Sequence, residues 1–208
     1  MTIIVHHLEN SRSQRVLWLL EELALPYEVR RYERDRKTML APPELRQVHP
    51  LGKSPVIEAD GRVVVETGAI IEFLVDRAGG QLGAPGHIDE ALRYRQFLHY
   101  AEGSVMPPLL VMLVLSRVPL FGKRAQARVL PMVLVHLDYV EAELSTRPWI
   151  AGETFTAADV MMSFPIEAAR TRIPGSADRR ATAEWLARCH ARPAYQAALA
   201  KGGPYAYA

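Results

Sequence analysis

The sequence predicts a small α/β domain followed by an all-helical domain. Three observations lead to this fold class. Strand-like and helical patterns alternate over the first 80 residues, a Gly- and Pro-rich segment follows, and no strand pattern comes after it. A chain of 208 residues is long enough for two small domains that each bury a core. We therefore expect domains at 1–80 and 87–208, joined by a linker at 81–86.

The first domain alternates between runs rich in β-branched or aromatic residues and runs with helical periodicity. Asp60-Gly61 between the last two strand-like runs predicts a two-residue hairpin turn. The resulting order, β-α-β-α-β-β-α, is typical of a four-stranded mixed sheet. The predicted strands are 2–6, 27–32, 56–58 and 62–65, and the predicted helices are 12–24, 43–48 and a segment around 70–74 that ends near Gly79-Gly80.

Only helical patterns follow the linker, which predicts a helical bundle. The first helix must be kinked or interrupted at Pro107-Pro108, because proline lacks the N–H that a helix interior needs. Pro131 in the second helix indicates a bend or a later start. The predicted helices are 87–116, 123–144, 156–170 and 181–189.

Composition and charge exclude several classes of function. The net charge of +2 gives no reason to expect binding to nucleic acid or to an anionic membrane. The first residues do not predict a signal peptide, and the apolar stretch 105–115 is too short to cross a bilayer. The single cysteine, Cys189, predicts no disulfide within the chain and favours the cytoplasm. His6 and His7 lack the spacing of metal ligands, so we expect no metal site.

Three junctions between elements carry candidate binding residues, and the first is the turn that precedes the third strand. A bond such as Ser54–Pro55 at the start of a hairpin is a candidate for the cis isomer. A cis bond would turn the backbone of Ser54 outward, where it could pair with an extended peptide. The alternative is a trans proline that only starts a strand, and the tripeptide alone favours this alternative.

The second junction is Glu66-Thr67, where the fourth strand meets a helix. A hydroxyl and a carboxylate beside free backbone N–H groups can hold the amino and carboxylate groups of an amino acid. The alternative is that Thr67 caps the helix while Glu66 complements the helix dipole. Taken alone, the residues favour the capping alternative.

The third junction is Glu9–Ser13, where the first strand meets the first helix. Ser11 is a good N-cap, and its hydroxyl could also donate to a thiolate held at the positive end of the helix. A free thiol has a pKa of about 8.5, and lowering it by two units takes about 2.7 kcal/mol. One hydrogen bond to a charged group together with the helix terminus can supply that amount. The two roles are compatible.

Four segments taken together resemble the cytosolic glutathione transferase superfamily, and the resemblance covers essentially the whole chain. These segments are SRSQR at 11–15, LGKSPV at 51–56, ETGAI at 66–70 and IAGETFTAADV at 150–160. The last resembles the buried capping box of that family, in which Thr156 and Asp159 exchange hydrogen bonds. The resemblance implies a thioredoxin-like first domain, glutathione as co-substrate without a metal, a small apolar electrophile on the helical domain, and a homodimer.

The resemblance also implies roles for individual residues. Lys53 and the backbone of Ser54, beside a cis Pro55, would hold the glycyl and cysteinyl parts of glutathione. Glu66 and Thr67 would hold the γ-glutamyl end, although the family usually has Ser where Thr67 stands.

Family members activate the thiol through Tyr, Ser or Cys near the end of the first strand. Here the first tyrosine, Tyr27, lies beyond the helix, and the only cysteine is Cys189. The chain therefore resembles a bacterial serine-type, theta-like member. Ser11 is the candidate for thiol activation, with three close rivals: Asn10, Arg12 and Ser13.

The implied function is conjugation of the glutathione thiolate to hydrophobic electrophiles, and glutathione-dependent peroxidase activity is compatible with the same site. Two alternatives stay open. One is a glutathione-dependent isomerase or dehalogenase, and the other is a non-catalytic binding protein with a transferase fold. The presence of Lys53, Glu66, Thr67 and Ser11 favours an enzyme, because a pure interaction module need not keep a thiol site.

Overall fold

The computed structural model describes residues 2–208. The strands are β1 (Ile3–Leu8), β2 (Tyr27–Tyr32), β3 (Val56–Ala59) and β4 (Arg62–Val65). The helices are α1 (Ser13–Glu22), α2 (Leu45–Val48), α3 (Thr67–Arg77), α4 (Ile88–Tyr100), α5 (Met106–Leu115), α6 (Gly122–Leu144), α7 (Ala157–Arg172), α8 (Arg180–His190) and α9 (Pro193–Gly202). A π-helical turn (Ala101–Val105) joins α4 to α5, and a short 3₁₀ turn (Ser176–Asp178) precedes α8.

The four strands form one mixed sheet in the order β2-β1-β3-β4, which confirms the predicted fold class. β1 runs parallel to β2 and antiparallel to β3, and β3 and β4 form an antiparallel hairpin. Ala59 pairs with Arg62 across the hairpin, and the two turn residues between them, Asp60 and Gly61, have φ of 52° and 74°. These positive φ values are the conformation that a two-residue type I′ turn requires.

The chain divides into two compact units, and the division differs from the expected one at the carboxyl end. One unit contains the segment up to Gly83 together with His190–Ala208, and the other is Ala84–Cys189. The boundary at Gly83 lies within the expected linker. Residues 190–208, however, were expected in the helical domain. They cluster instead with the α/β unit.

Helix α9, which no sequence pattern predicted, packs on α1 within the first unit. The indole of Trp18 and the ring of Tyr195 meet edge to face, with centroids 5.1 Å apart, and both side chains are fully buried. Just before α9, Arg192 donates to the carboxylate of Glu22 through Nε at 2.5 Å and Nη2 at 2.8 Å. Helix α1 is therefore covered on the side that the sheet does not reach.

The second unit begins with a helical stretch that a π-helical turn interrupts just before Pro107 and Pro108, close to the expected kink or interruption. In the π turn, the N–H of Met106 bonds to the carbonyl of Ala101, five residues earlier. The wider turn gives the two prolines, which have no N–H, a place at the start of α5. Pro131 likewise lies inside α6. The helix begins at Gly122, so it does not start late because of Pro131.

The continuous stretch Ile88–Leu115 is long and apolar enough, by length and composition, to cross a membrane. This stretch is longer than the apolar segment 105–115 that the sequence alone marks out. One helix of this kind is a weak indication of a membrane segment, because the core helix of a folded domain passes the same test.

A capping box starts α7 in the second unit. The buried carboxylate of Asp159 accepts from the backbone N–H of Thr156 at 2.9 Å and from that of Ile150 at 2.9 Å. It also accepts from Nε1 of Trp185 at 2.8 Å. Burial raises the pKa of Asp159, while these hydrogen bonds act to lower it. The carboxylate thus ties α7 to the preceding loop and to α8.

Candidate functional site

The junction between β1 and α1 brings two hydroxyls together. Asn10 has a φ of 49°, and this left-handed turn carries the chain from the end of β1 to the start of α1. The Oγ atoms of Ser11 and Ser13 lie 2.7 Å apart, and the N–H of Ser13 donates to Ser11 Oγ at 3.3 Å. Ser11 is 5% exposed and Ser13 is fully buried. Both serines are therefore buried, and Ser11 is the more exposed of the two.

His7 lies behind the two serines and was not among the sequence candidates. Its Nδ1 is 2.8 Å from Ser13 Oγ, and the residue is 2% exposed. Burial, followed by the positive charge of Arg31, lowers the pKa of His7 to about 4. The ring is therefore neutral at physiological pH. Its position in a strand that is buried along most of its length gives no signal of this role in the sequence.

The structure separates the rivals of Ser11 from one another. The side-chain oxygen of Asn10 accepts a hydrogen bond from the backbone N–H of Ala206 at 2.7 Å, in the carboxyl-terminal tail. The carbonyl of Arg12 accepts from the N–H of Arg15 at 3.2 Å, in the first turn of α1. Ser13 is the second hydroxyl of the pair described above. Asn10, Arg12 and Ser13 therefore each make a different hydrogen bond in the junction.

The turn before β3 reaches the same end of the sheet. The Ser54–Pro55 bond is cis, the isomer that the resemblance implies. The hydroxyl of Ser54 donates to the carbonyl of His6 at 2.8 Å and accepts from the N–H of Leu8 at 3.3 Å. These bonds hold the turn against the end of β1 that leads to Ser11. Lys53, one residue earlier, is exposed.

The start of α3 is the third segment at this end of the sheet, because Val65, the last residue of β4, pairs with Val56, the first residue of β3. Glu66 is exposed and has a φ of 70°, a conformation that non-glycine residues rarely adopt outside turns and functional sites. Thr67 is buried, and its hydroxyl accepts from Nη2 of Arg15 at 3.4 Å. No side-chain cap is present at the start of α3, so the capping alternative for Thr67 is wrong.

Arg15, in the SRSQR segment, is a second buried residue of the site that was not predicted to have a role. It lies in α1, is 1% exposed, and reaches Thr67 at the start of α3. A buried guanidinium needs hydrogen-bond acceptors, and here it links the first and third segments of the site. The sequence offered one indication that Arg15 is buried. Arg15 lies one helical turn before Leu19, on the same face of the helix, and Leu19 is buried.

Taken together, the three segments place the hydroxyl of Ser11, an exposed cation and an exposed carboxylate at one end of a single sheet. Such a set can bind a small peptide that carries both charges and a thiol. Within residues 2–208, no group of three or more His, Cys, Asp or Glu side chains could hold a metal ion.

Comparison with known proteins identifies the family. Residues 11–77 match the family described as the glutathione S-transferase N-terminal domain, and residues 104–193 match the glutathione S-transferase C-terminal domain. The chain is 35% identical to glutathione S-transferase 3 of Schizosaccharomyces pombe, over 96% of this chain and 87% of that protein.

Solved structures extend the comparison to the fold. A glutathione S-transferase from Actinobacillus pleuropneumoniae is similar over 99% of this chain and 95% of its own, with a TM-score of 0.89 and 32% identity. A Pseudomonas fluorescens family member, solved with two glutathione bound, covers 95% of this chain and 92% of its own, with a TM-score of 0.79 and 26% identity. The first unit accordingly has the thioredoxin-like fold of these neighbours, and the chain belongs to the glutathione S-transferase family.

Proposed function

We propose that this protein is a serine-type, theta-like glutathione transferase that joins the sulfur of glutathione to hydrophobic electrophiles. One observation carries the proposal. Ser11 is the less buried of the two hydroxyls at the start of α1, and it shares its end of the sheet with the cis Ser54–Pro55 turn and with Glu66. A peptide lying along that turn would bring its thiol toward the amino end of α1.

The charges around Ser11 support an orientation for glutathione. The exposed ammonium of Lys53 suits the glycyl carboxylate, and the backbone of Ser54 suits the cysteinyl peptide groups. The exposed carboxylate of Glu66 suits the α-amino group of the γ-glutamyl end, with Thr67 beside it. The two ends of the ligand would therefore meet charges of opposite sign.

The reaction needs the sulfur in its ionised form. The thiolate attacks an electrophilic carbon, a C–S bond forms, and the leaving group departs with its electron pair. The amino end of α1 and a hydroxyl hydrogen bond both favour a negative sulfur there. An apolar pocket that concentrates electrophiles would complete the reaction, and we assign this role to the helical domain.

The other two side-chain types that activate thiols in this family are poorly placed here. Tyr27 donates its phenolic proton to the carboxylate of Glu21 at 2.5 Å, and burial together with that carboxylate raises the pKa of Tyr27. Cys189 is fully buried in α8. Both observations favour Ser11.

We further propose that the protein is cytoplasmic, since the chain has one cysteine. We propose that it is a homodimer, since the family resemblance implies a pair.

The proposal is tested by calorimetric titration with glutathione, followed by conjugation to an activated chloroarene. We expect the wild-type protein to bind glutathione and to turn over. We expect Ser11→Ala to lower the turnover number by about tenfold or more, because one hydrogen bond to a charged group is worth about 1.5–3 kcal/mol. Affinity for glutathione should change much less.

A matched control is Ser163→Ala, which removes another buried hydroxyl, one that donates to the carbonyl of Val160 within α7. Its turnover should match wild type. Binding of glutathione without turnover of any electrophile would favour the non-catalytic alternative. An unchanged rate in Ser11→Ala would instead move thiol activation to Asn10, Arg12 or Ser13.

The γ-glutamyl contact has its own test. Glu66→Gln should weaken glutathione binding by about 1 kcal/mol, because a charge-assisted hydrogen bond worth about 1.5–3 kcal/mol becomes a neutral one worth about 0.5–1.5 kcal/mol. Glu72→Gln, which removes an exposed carboxylate from the helix that follows Glu66, should bind like wild type. Equal affinities for the two variants in a calorimetric titration would contradict the contact.

A further inference from the structure

The turn between α5 and α6, residues 116–121, presents large apolar side chains to solvent, and we call it the tip. The N–H of Phe121 donates to the carbonyl of Pro119 at 2.7 Å, and Leu120 between them has a φ of 62°. A three-residue turn with a positive central φ is the rare and strained form of the γ-turn. This turn leaves Leu120 94% exposed and Phe121 72% exposed. Backbone strain of this kind clusters at functional surfaces.

Close packing of the two helices holds the tip in place. A Cβ built on Gly122, the first residue of α6, would lie 2.2 Å from the carbonyl oxygen of Leu115. Only glycine therefore lets the start of α6 approach the end of α5 this closely. The side-chain amide of Gln126 in α6 also donates to the carbonyl of Met112 in α5 at 3.0 Å. The exposed side chains of the tip are thus carried by a tightly bonded backbone.

The apolar surface of the tip continues onto α5, which contains no charged residue. Leu110 and Val114 lie one helical turn apart on the same face, and they are 51% and 56% exposed. Val118, in the tip itself, is 44% exposed. Single exposed apolar residues are common on any protein, but a run of neighbours along one face marks an interaction surface.

The charged residues near the tip are all basic. The segment 103–137 contains no Asp or Glu. It contains four exposed basic residues, which lie in the tip and in the first two turns of α6: Arg117, Lys123, Arg124 and Arg128. The net charge of +2 for the whole chain conceals this local excess. The expectation of no membrane binding, which was drawn from net charge, therefore does not apply to this surface.

We infer that the tip and the basic side chains beside it bind the surface of an anionic lipid bilayer. Leu120 and Phe121 insert at the boundary between headgroups and acyl chains, while the basic side chains contact the anionic headgroups. Binding of this kind is peripheral and agrees with a cytoplasmic protein, since the cytoplasmic leaflet is anionic. The inference does not depend on the proposed function, although apolar electrophiles also concentrate in lipid.

Charge and chemistry favour a bilayer over other occupants of this surface. A second copy of the chain, docked tip to tip, would bring the same cations together, and like charges repel. Nucleic acid would match the charges through its phosphates but would offer no apolar environment for Leu120. An anionic bilayer supplies negative charge at its surface and an apolar layer directly beneath it.

The test is cosedimentation of the full chain with lipid vesicles of two compositions, phosphatidylcholine alone and equal parts of phosphatidylcholine and phosphatidylglycerol. We expect wild type to bind the mixed vesicles much more tightly than the neutral ones, and we expect added salt to weaken the binding. Leu120→Asn combined with Phe121→Gln should weaken binding about tenfold or more, because two apolar side chains lose their burial in lipid. Asparagine tolerates a positive φ, so the turn is kept.

A second double variant, Lys123→Gln with Arg124→Gln, tests the charges. Each basic residue near an anionic surface is worth about fivefold in affinity, so we expect a loss of about 25-fold on mixed vesicles. The unfolding midpoints of both double variants should stay close to that of wild type, because all four side chains are exposed. Should one double variant not fold, the other decides by the same readout.

The loop after β2 offers matched controls for both variants. Met39 and Leu40 are neighbouring apolar residues, 42% and 60% exposed, and Met39 has a φ of 60°. Arg36 and Lys37 are neighbouring exposed basic residues. Met39→Asn with Leu40→Gln, and Arg36→Gln with Lys37→Gln, should bind mixed vesicles like wild type.

Several outcomes would overturn the inference. These are no vesicle binding by wild type, equal binding to neutral and mixed vesicles, and equal losses in the tip variants and their controls. A tip variant that binds vesicles normally but breaks self-association would assign the tip to an interface between copies instead. A raised KM for the electrophile without vesicles, together with unchanged vesicle binding, would assign it to the electrophile pocket.

Discussion

At the scale of single residues, His7 couples the site to the stability of the fold. The pKa of His7 is about 4 in the folded protein, against 6.5 for an unperturbed histidine. Above pH 6.5 both the folded and the unfolded state are neutral here. As the pH falls below 6.5, His7 binds a proton in the unfolded chain but stays neutral in the folded protein. The free energy of unfolding should therefore fall between pH 6.5 and 4, by about 3 kcal/mol at most.

Denaturant titrations at a series of pH values check this prediction. His7→Asn has no group that titrates in this range, so its stability should depend less on pH between 6.5 and 4 than that of wild type. The difference between the two curves isolates His7 from the carboxylates that titrate nearby. Parallel curves would show that His7 is not the source of the acid sensitivity.

Thr67 and Arg15 give a second prediction at this scale. Thr67→Val keeps the shape but removes the hydroxyl that accepts from Arg15, so a buried guanidinium loses a partner. We expect a loss of about 1–3 kcal/mol in the free energy of unfolding and weaker glutathione binding. Thr67→Ser keeps the hydroxyl and should retain most of both. Equal losses in the two variants would mean that the methyl group matters and the hydroxyl does not.

These residues also show what the sequence could reveal. Ser11, Ser54 and Glu66 were predicted because each lies next to a feature that the sequence shows directly. That feature is a helix start for Ser11 and Glu66 and an X-Pro bond for Ser54. His7 and Arg15 were not, because their roles depend on partners distant in sequence: Gly202 for His7 and Thr67 for Arg15. A buried histidine in a strand looks like any core residue until the partner of its ring is known.

At the scale of elements, the capping box of α7 joins three parts of the second unit. Asp159→Ala would leave the backbone N–H groups of Thr156 and Ile150 and the indole of Trp185 without their buried acceptor. Each buried unsatisfied donor costs about 1–3 kcal/mol, so we expect a loss of at least about 3 kcal/mol in the free energy of unfolding.

Asp138→Ala is the matched control for that experiment. Asp138 pairs with Arg179 at the surface, with its side chain 69% exposed. Exposed pairs contribute about 0–1 kcal/mol, so its unfolding midpoint should stay close to that of wild type. Similar losses for the two variants would argue that the capping box is not specifically important.

Helix boundaries were the least predictable feature at this scale. Strand β2 and the hairpin were predicted nearly residue for residue, because β-branched runs and an Asp-Gly turn act locally. The first helix of the second domain was predicted to be kinked or interrupted at Pro107-Pro108, whereas the structure places the interruption in a π turn at Ala101–Val105 and continues α5 through both prolines. The π turn that accommodates the prolines depends on packing by α6 and α7, which no local pattern reveals. Tertiary context decided this case against local propensity.

At the scale of the whole molecule, the chain returns to its first unit after completing the second. Ending the chain at Cys189 would remove Tyr195 and Arg192, exposing Trp18 and leaving Glu22 without its bidentate partner. We expect a loss of stability greater than the about 3–5 kcal/mol that truncating one buried aromatic costs.

A chain that ends at Gly203 is the control, since it keeps α9 and loses only the tail that contacts Asn10. Its unfolding midpoint should lie near that of the full chain, whereas the chain ending at Cys189 should yield little folded protein. A well-folded product from the shorter chain would show that α9 is dispensable.

The return of the chain through α9 has a consequence for synthesis on the ribosome. Domains at the amino end usually fold as they emerge. Here the α/β unit, although made first, lacks one wall of its core until residues 190–208 leave the exit tunnel. The helical unit, Ala84–Cys189, is one continuous segment and does not have to wait for these residues. The unit that is translated second can therefore complete its folding first.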